Sequence, residues 1–167
     1  MRLLYGLILS TVFMLCTLSA EERVHKKLPL SESLPFLEQI EGDAICMGSG
    51  PVKVYVFVDP LCPHSRNFVE MISESDKMRS RYSYLFYLYT LRRMHSESVV
   101  ESIYMSKDPL EALLDVMVRE QSLGAVSKVS TTVRSKIERI MTVGAELDVY
   151  KRPYLIMVKK PKQKRGH

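Results

Sequence analysis

The sequence predicts an α/β fold in which a small mixed β-sheet is flanked by helices. Residues 52–58 and 82–89 are rich in β-branched and aromatic residues, and a segment with apolar residues at helical spacing separates them. A strand–helix–strand unit of this kind implies parallel strands joined by a right-handed crossover. A further apolar run at 154–158, which follows Arg152-Pro153, supplies the last strand.

Residues 34–58 predict a short helical turn and then a hairpin that leads into the first long strand. Residues 34–40 carry apolar residues at the spacing of a short amphipathic helical turn, and residues 43–47 form a short apolar run. The Gly-Ser-Gly-Pro sequence at 48–51 is a strong turn signal. We therefore expect 43–47 to pair with 52–58. A helix over 64–75 follows that strand.

Three helical segments are predicted between the second and the last of the long strands, where they form a helical insertion. Ser96 marks the start of the first segment. Asp108 gives the clearest start, because Pro109 follows at the first helical position and Glu111 stands at capping-box spacing. The third segment begins near Thr132.

The length of 167 residues fits one ordinary domain, and the composition excludes a disordered chain and a dense disulfide scaffold. The apolar run at 3–20 follows a basic residue and precedes a charge cluster, which is the pattern of an export signal. We therefore assign residues 1–20 to a signal peptide or an N-terminal anchor, and expect a periplasmic or otherwise exported protein. A polar lead over 21–42 then precedes a domain over 43–159.

The formal net charge of +5 comes from the end of the chain, where five basic residues follow Val158. Residues 160–167 form a basic tail, which is either a solvated end or a contact for an anionic membrane surface or an acidic partner. No basic patch is interleaved with aromatic residues, so the sequence predicts no nucleic-acid binding.

Cys62 is the residue with the clearest chemistry. It follows a predicted buried strand, and Pro63, His64 and Ser65 after it open a predicted helix. A thiol at a helix N-terminus faces unpaired backbone N–H groups and the positive end of the helix dipole, and both favour the thiolate. Pro63 pre-shapes the first turn, and a protonated His64 would add positive charge beside the sulfur. The alternative is that Cys62 is a small buried apolar residue.

Residues 52–68 resemble the active-site strand, loop and helix of the thioredoxin superfamily, and are most similar to those of the bacterial periplasmic disulfide isomerases of the Dsb type. The family motif is Cys-x-x-Cys, and this chain has Cys-Pro-His-Ser, with Ser65 in place of the second Cys. Arg152-Pro153 stands where the family has its cis-proline loop. The resemblance implies a thioredoxin-like fold and no cofactor, and we expect this chain to depart from the family in having a truncated C-terminus. It also implies catalytic roles for residues 62–65 and substrate binding at Arg152 and Pro153.

The loss of the second Cys decides which reactions remain. A dithiol oxidase or reductase needs a resolving thiol, and Ser65 has none; its hydroxyl could only donate a hydrogen bond to the sulfur. Cys62 alone can still form a mixed disulfide and be expelled when another thiol attacks. The sequence therefore favours a monothiol isomerase-like enzyme acting on cysteine-containing exported proteins. The alternatives are a non-catalytic adaptor or chaperone in an envelope or secretion assembly, and a glutathione-dependent monothiol protein.

The remaining candidates are weaker. Cys46 should not reach Cys62, because a strand of seven residues spans about 23 Å, so we expect a buried structural thiol or an intermolecular partner. Asp59 is either a turn residue before Pro60 or a carboxylate for proton transfer. The scattered His residues give no metal site. The outer edge of strand 154–158 would accept strand addition by a second copy or an envelope partner.

Overall fold

Four strands form one mixed β-sheet in the residues that the computed structural model describes, which are residue 25 and residues 27–90, 92–124 and 126–158. The strands are β1 (Ile45–Met47), β2 (Val52–Val58), β3 (Tyr82–Leu88) and β4 (Tyr154–Val158). Their spatial order is β1–β3–β2–β4. β2 is parallel to β3, as predicted, and antiparallel to β4, while β1 is antiparallel to β3.

Helices cover both faces and one end of this sheet. They are α1 (Leu30–Gln39), α2 (Pro63–Ser73), α3 (Asp76–Arg81), α4 (Glu97–Met105), α5 (Pro109–Met117) and α6 (Thr131–Glu146), with short 3₁₀ turns at Glu41–Asp43 and Arg92–Met94. α4, α5 and α6 lie between β3 and β4, so the predicted helical insertion is confirmed. α3 was not predicted, because its sequence DKMRSR contains only one apolar residue and hence no periodic pattern.

The predicted hairpin between 43–47 and 52–58 is wrong. β1 pairs instead with the edge of β3 that faces away from β2, so β3 lies between them. In this pairing Ile45 is opposite Phe86 and Met47 is opposite Tyr84. The intervening turn is tied to the segment that leads into β3. The Ser49 N–H donates to the Arg79 carbonyl at 2.8 Å, and the Gly50 N–H donates to the Tyr82 carbonyl at 3.2 Å. These bonds separate β1 from β2 and leave room for β3 between them.

Both faces of β2 are buried, because helices cover the sheet on both sides. Residues Val54–Val58 have almost no exposed surface. On one face, the Phe68 ring of α2 meets Tyr84 edge-on, with the ring centroids 6.3 Å apart. On the other face, α6 lies so close to Tyr89 that a Cβ atom at Gly144 would be 2.2 Å from the ring. The small size of Gly144 therefore sets the distance between α6 and the sheet.

α3, α5 and α6 begin at residues whose side chains cap the helix, whereas α1, α2 and α4 begin without a side-chain cap. Asp108 accepts hydrogen bonds from the N–H groups of Leu110 and Glu111, both at 3.1 Å, so the predicted start of α5 is confirmed. In a full capping box the Glu111 side chain would also accept a hydrogen bond from the Asp108 N–H. Here the Asp108 N–H donates to Ser106 Oγ instead. Ser96 does precede α4, but its side chain makes no capping hydrogen bond.

The segment before β1 contributes to the core. Leu37 and Ile40, at and just after the end of α1, are fully buried, which agrees with the amphipathic pattern of residues 34–40. The Asp43 carboxylate accepts two hydrogen bonds from Arg139 of α6, each 2.9 Å long. This paired contact joins the start of the domain to the helix before β4.

The predicted export signal over 1–20 and the basic tail over 160–167 lie outside the described residues. Among the helices that the structure describes, none has both the length and the apolar character needed to cross a membrane.

We expect Gly144→Ala to destabilise the protein, because the new methyl group would collide with the Tyr89 ring. Overpacking costs about 1–3 kcal/mol, and a contact of 2.2 Å belongs at the upper end of that range. The better helix propensity of Ala returns about 1 kcal/mol, so urea unfolding should show a net loss of about 2 kcal/mol. Gly42→Ala is the control, since no atom lies within 4 Å of a Cβ atom there. Equal stabilities for the two variants would contradict this account.

Candidate active site

Cys62 is the N-cap residue of α2, directly behind the loop that ends the central strand. Its backbone is extended, with φ −77° and ψ 121°, and Pro63 follows as the first helical residue. The Cys62 N–H donates to the Asp59 carbonyl, and the Cys62 carbonyl accepts from the Arg66 N–H, both at 3.0 Å. The side chain accepts no capping hydrogen bond, so the sulfur remains available at the positive end of the helix dipole. The residue is only 6% exposed.

Ser65 holds the loop rather than the sulfur. It is fully buried one turn into α2, and the Asp59 N–H donates to its Oγ at 3.3 Å. The suggested hydrogen bond from Ser65 to Cys62 is not formed, because the hydroxyl group faces the beginning of the loop instead. The residue at the position of a second active-site Cys therefore has a structural contact of its own.

Asp59 is a fully buried carboxylate at the base of the site. Its Oδ1 accepts a hydrogen bond from the Leu61 N–H at 2.9 Å, which is the turn contact that the sequence suggested. Its Oδ2 accepts one from the Ser96 hydroxyl at 2.8 Å. Ser96 thus uses its side chain to link the Cys62 loop to the helical insertion, which explains the missing cap of α4. No local sequence signal could have shown this pairing.

Arg152, which the sequence assigns with Pro153 to substrate binding, has contacts that the sequence does not predict. The residue is 8% exposed, and its guanidinium lies 4.1 Å above the centroid of the Tyr89 ring. Three carbonyl groups accept its hydrogen bonds, those of Val149 at 3.0 Å, Lys151 at 3.1 Å and Tyr89 at 3.3 Å.

Burial lowers the pKa of Arg152 to about 10, and electrostatic interactions with Tyr89, Asp59 and Cys62 oppose that shift. At neutral pH the group is therefore a cation. The sequence signal that could have found it is an Arg directly before a Pro that leads into a buried strand.

The Arg152–Pro153 peptide bond is cis, as predicted. Because β4 is antiparallel to β2, with Tyr154 opposite Phe57, the start of β4 lies at the end of β2 from which the Cys62 loop departs. The topology therefore brings Arg152 and Pro153 to the same end of the sheet as the loop that carries Cys62.

The outer part of the site is open to solvent. Pro63 and His64 are exposed in the first turn of α2. A cavity of about 240 Å³ lies beside the loop, lined by Leu61, Arg66, Ser98, Val99, Ser102, Val116 and residues 120–123. Arg66 donates from its Nε to the Pro60 carbonyl at 2.9 Å and fixes the loop from this side. In the described ranges, no three His, Cys, Asp or Glu side chains are grouped to hold a metal ion.

Cys46 is exposed, so the expectation of a buried structural thiol is wrong. It is the middle residue of β1, and its neighbours Ile45 and Met47 are the buried ones. Since side chains alternate along a strand, Cys46 points to the other face of an edge strand. Cys46 and Cys62 are both free thiols.

The sheet order, the parallel crossover through α2 and the cis-proline loop define a thioredoxin-like fold. No family model and no curated protein matches the sequence. Solved structures do match the fold. The disulfide interchange protein from Neisseria gonorrhoeae is 18% identical, with a TM-score of 0.53, and the match covers 69% of this chain and 79% of that one.

Two further structures extend the comparison. Proteus mirabilis ScsC in a compact conformation is 13% identical, with a TM-score of 0.59 and coverage of 93% of this chain and 81% of that one. A periplasmic thioredoxin-like protein from Salmonella enterica serovar Typhimurium is 9% identical, with a TM-score of 0.54 and coverage of 79% and 86%. The structures with this fold thus include a disulfide interchange protein and a periplasmic thioredoxin-like protein.

We expect Arg152→Met to destabilise the protein, because it leaves buried carbonyl groups without their donor while the packing on Tyr89 is kept. Urea unfolding should show a loss of about 1–3 kcal/mol. The neighbouring Lys151 is exposed, so Lys151→Met should stay within about 0.5 kcal/mol of the parent. A Met variant at 152 as stable as the parent would show that the guanidinium is not a structural donor.

Proposed function

We propose that the protein is an exported thiol–disulfide exchange protein that uses Cys62 as its only nucleophile, in isomerisation or mixed-disulfide exchange. The observation that carries the proposal is the position of Cys62 as N-cap of α2, with a buried cation from the Arg152–Pro153 loop nearby. A helix N-terminus with a cation nearby is the kind of surrounding in which proteins place reactive cysteines. Disulfide exchange requires the thiolate as the attacking species.

The reaction is balanced without any external oxidant. The Cys62 thiolate attacks one sulfur of a client disulfide, an S–S bond forms between protein and client, and the second client sulfur leaves as a thiolate. A client thiolate then attacks the client sulfur of this mixed disulfide, and Cys62 leaves with its electron pair. The client exchanges one disulfide for another with no net change in oxidation state. Ser65 cannot close a disulfide with Cys62, so net oxidation or reduction by a dithiol cycle is not open to the protein.

The surroundings of the sulfur suit an extended client. Pro63 and His64 are exposed beside Cys62, and the backbone of Arg152 and Pro153 approaches from the start of β4. We assign these residues to the site, Pro63 and His64 at the nucleophile and Arg152 and Pro153 in client binding. The clients are cysteine-containing exported proteins. Export is supported by the apolar segment at 3–20 and by the periplasmic location named for the Salmonella protein with this fold.

A second candidate is a non-catalytic adaptor with this fold. The observation that favours it is the low exposure of Cys62 together with the structural contact of Ser65 to the loop. In that case the loop is a rigid binding element and the thiol is a packing residue.

Thiol reactivity separates the two candidates. Exposure alone favours alkylation of Cys46, whereas thiolate stabilisation favours the buried Cys62. For an exchange enzyme we expect iodoacetamide at pH 7 to modify Cys62 at least about tenfold faster than Cys46, measured by peptide mapping of the folded chain. Faster modification of Cys46, with Cys62 reacting only after unfolding, would favour the adaptor.

Ser65→Cys should add dithiol chemistry to the site. The parent is expected to rearrange a protein with scrambled disulfides without changing its total thiol content, and this activity should vanish in Cys62→Ser. After oxidised glutathione has closed a disulfide between Cys62 and the new thiol at position 65, the Ser65→Cys variant should in addition oxidise a dithiol peptide. One peptide thiolate attacks Cys62, the second peptide thiolate closes the peptide disulfide, and the protein is left with two thiols. The double variant with Cys62→Ser and Ser65→Cys is the control. No isomerisation by the parent would refute the enzymatic proposal.

A further inference from the structure

Two cavities lie beside the Cys62 loop, and the same three residues line both of them. The volumes are about 240 Å³ and about 460 Å³, and the shared residues are Leu61, Arg66 and Glu120. The smaller cavity lies between the loop and the helical insertion, and its apolar lining consists of Leu61, Val99, Val116 and Leu123. An apolar protein cavity of about 150 Å³ holds a benzene ring, so the smaller cavity has room for a Leu side chain. The two cavities together are called the Arg66 cleft below.

Arg66 places a cation in this cleft, close to the nucleophile. Its backbone N–H donates to the Cys62 carbonyl at 3.0 Å, which sets it one helical turn after Cys62. Its Nε donates to the Pro60 carbonyl at 2.9 Å, so the guanidinium reaches back along the loop. The Arg66 side chain is 27% exposed, which leaves part of it accessible from the cleft.

The Arg66 guanidinium is only weakly paired with Glu120. Its Nη1 lies 3.7 Å from Glu120 Oε1, which is beyond hydrogen-bond distance, and the Glu120 side chain is 78% exposed. An exposed pair of this kind adds little to stability, because solvent screens it and a long side chain must be held in place. Another carboxylate can therefore replace Glu120 and form shorter, charge-assisted hydrogen bonds with the guanidinium.

The occupant of the cleft follows from the proposed exchange reaction, on which this inference rests. In a mixed disulfide the two Cα atoms lie about 4.4–6.8 Å apart, so the residues beside the client cysteine lie against the surface around Cys62. An extended chain advances about 3.3 Å per residue, and Arg66 lies about 6 Å along α2 from Cys62. Client residues two or three positions from the cysteine therefore reach Leu61 and Arg66.

We propose that Arg66 is a specificity-determining residue, which selects clients that have an apolar and an acidic residue close to the reacting cysteine. The apolar side chain would enter the smaller cavity against Leu61 and Val99. The acidic side chain would replace Glu120 at the guanidinium. The cleft thus selects the client and adds no chemical step to the attack by Cys62.

The rate of mixed-disulfide formation with short peptides tests the proposal. The full chain carries Cys16→Ser and Cys46→Ser, so that Cys62 is its only thiol. Each peptide has one cysteine activated as a 2-pyridyl disulfide, with Gly, Leu and Asp placed symmetrically on both sides of it. The Cys62 thiolate attacks the peptide sulfur, and an S–S bond forms between protein and peptide. The pyridyl sulfur leaves with its electron pair, takes up a proton and is followed by absorbance as pyridine-2-thione.

We expect the Asp peptide to react about tenfold faster than the same peptide with Lys for Asp, with a smaller difference at high salt. Replacing Leu by Ser should slow the Asp peptide about tenfold, because the apolar contact is lost. The small reagent 2,2′-dithiodipyridine has no flanking residues and measures the reactivity of Cys62 itself. Equal rates for the Asp and Lys peptides, with a reactive Cys62, would overturn this inference and leave the proposed function intact. A Cys62 that reacts with none of these reagents would overturn both.

Matched variants locate the acidic contact. Arg66→Gln should bring the rates of the Asp and Lys peptides to within about twofold of each other. This ratio is informative even if loss of the Pro60 contact changes the reactivity of Cys62. Arg119→Gln is the control and should keep the ratio near tenfold, because Arg119 lines the larger cavity but is already paired with Glu111 and Asp115. A preserved ratio in Arg66→Gln, or a lost ratio in Arg119→Gln, would refute the assignment.

Two further variants test the exchange of carboxylates and the apolar cavity. Glu120→Gln removes the competing carboxylate and should speed the Asp peptide about threefold. Ser98 is exposed and lines the smaller cavity, so Ser98→Phe should fill that cavity and remove the advantage of Leu over Ser in the peptide. No gain in Glu120→Gln, or a full Leu preference in Ser98→Phe, would contradict the proposal.

Discussion

The structure of the site depends on the buried carboxylate of Asp59. A carboxylate without exposed surface is tolerated only when hydrogen bonds and nearby cations compensate the loss of water. Here the Leu61 N–H and the Ser96 hydroxyl donate to it, and the Arg152 cation lies in its field. These contacts join the end of the central strand, the Cys62 loop, the helical insertion and the proline loop. The position of Cys62 at the start of α2 follows from this arrangement.

The Arg152 guanidinium is held in place by packing on the face of the sheet that α6 covers. Gly144 lets α6 approach the Tyr89 ring, and the same ring carries the Arg152 guanidinium. One aromatic side chain thus connects the packing of α6 to the position of the Arg152 cation. Ser65 contributes on the other side of the loop, where its hydroxyl receives the Asp59 N–H. Ser65 therefore supports the Cys62 loop through this hydrogen bond, and it provides no second thiol for a dithiol reaction.

Local signals predicted most of the fold, and contacts between distant residues account for what they missed. Strand patterns, the Asp108 cap and the Pro153 position depend on a few neighbouring residues, so the sequence shows them. The partner of β1 depends on whether β3 is inserted beside it, which the Gly-rich turn does not encode. The exposure of Cys46 follows from that pairing. The Asp59–Ser96 bond and the contacts of the Arg152 guanidinium are equally non-local, so the sequence names residues 62–65, Arg152 and Pro153 as candidates but shows none of the contacts that hold them.

Arg152 stands far after Cys62 in the sequence, so its cation joins the site late in folding. Cys62 and α2 belong to the first half of the sequence, whereas the cation near the sulfur and the strand that completes this end of the sheet come after the helical insertion. Contacts between such distant segments form only when the intervening chain has been ordered. A chain that has not yet ordered these segments therefore carries Cys62 without the nearby cation, so the exchange chemistry proposed for Cys62 requires the finished domain.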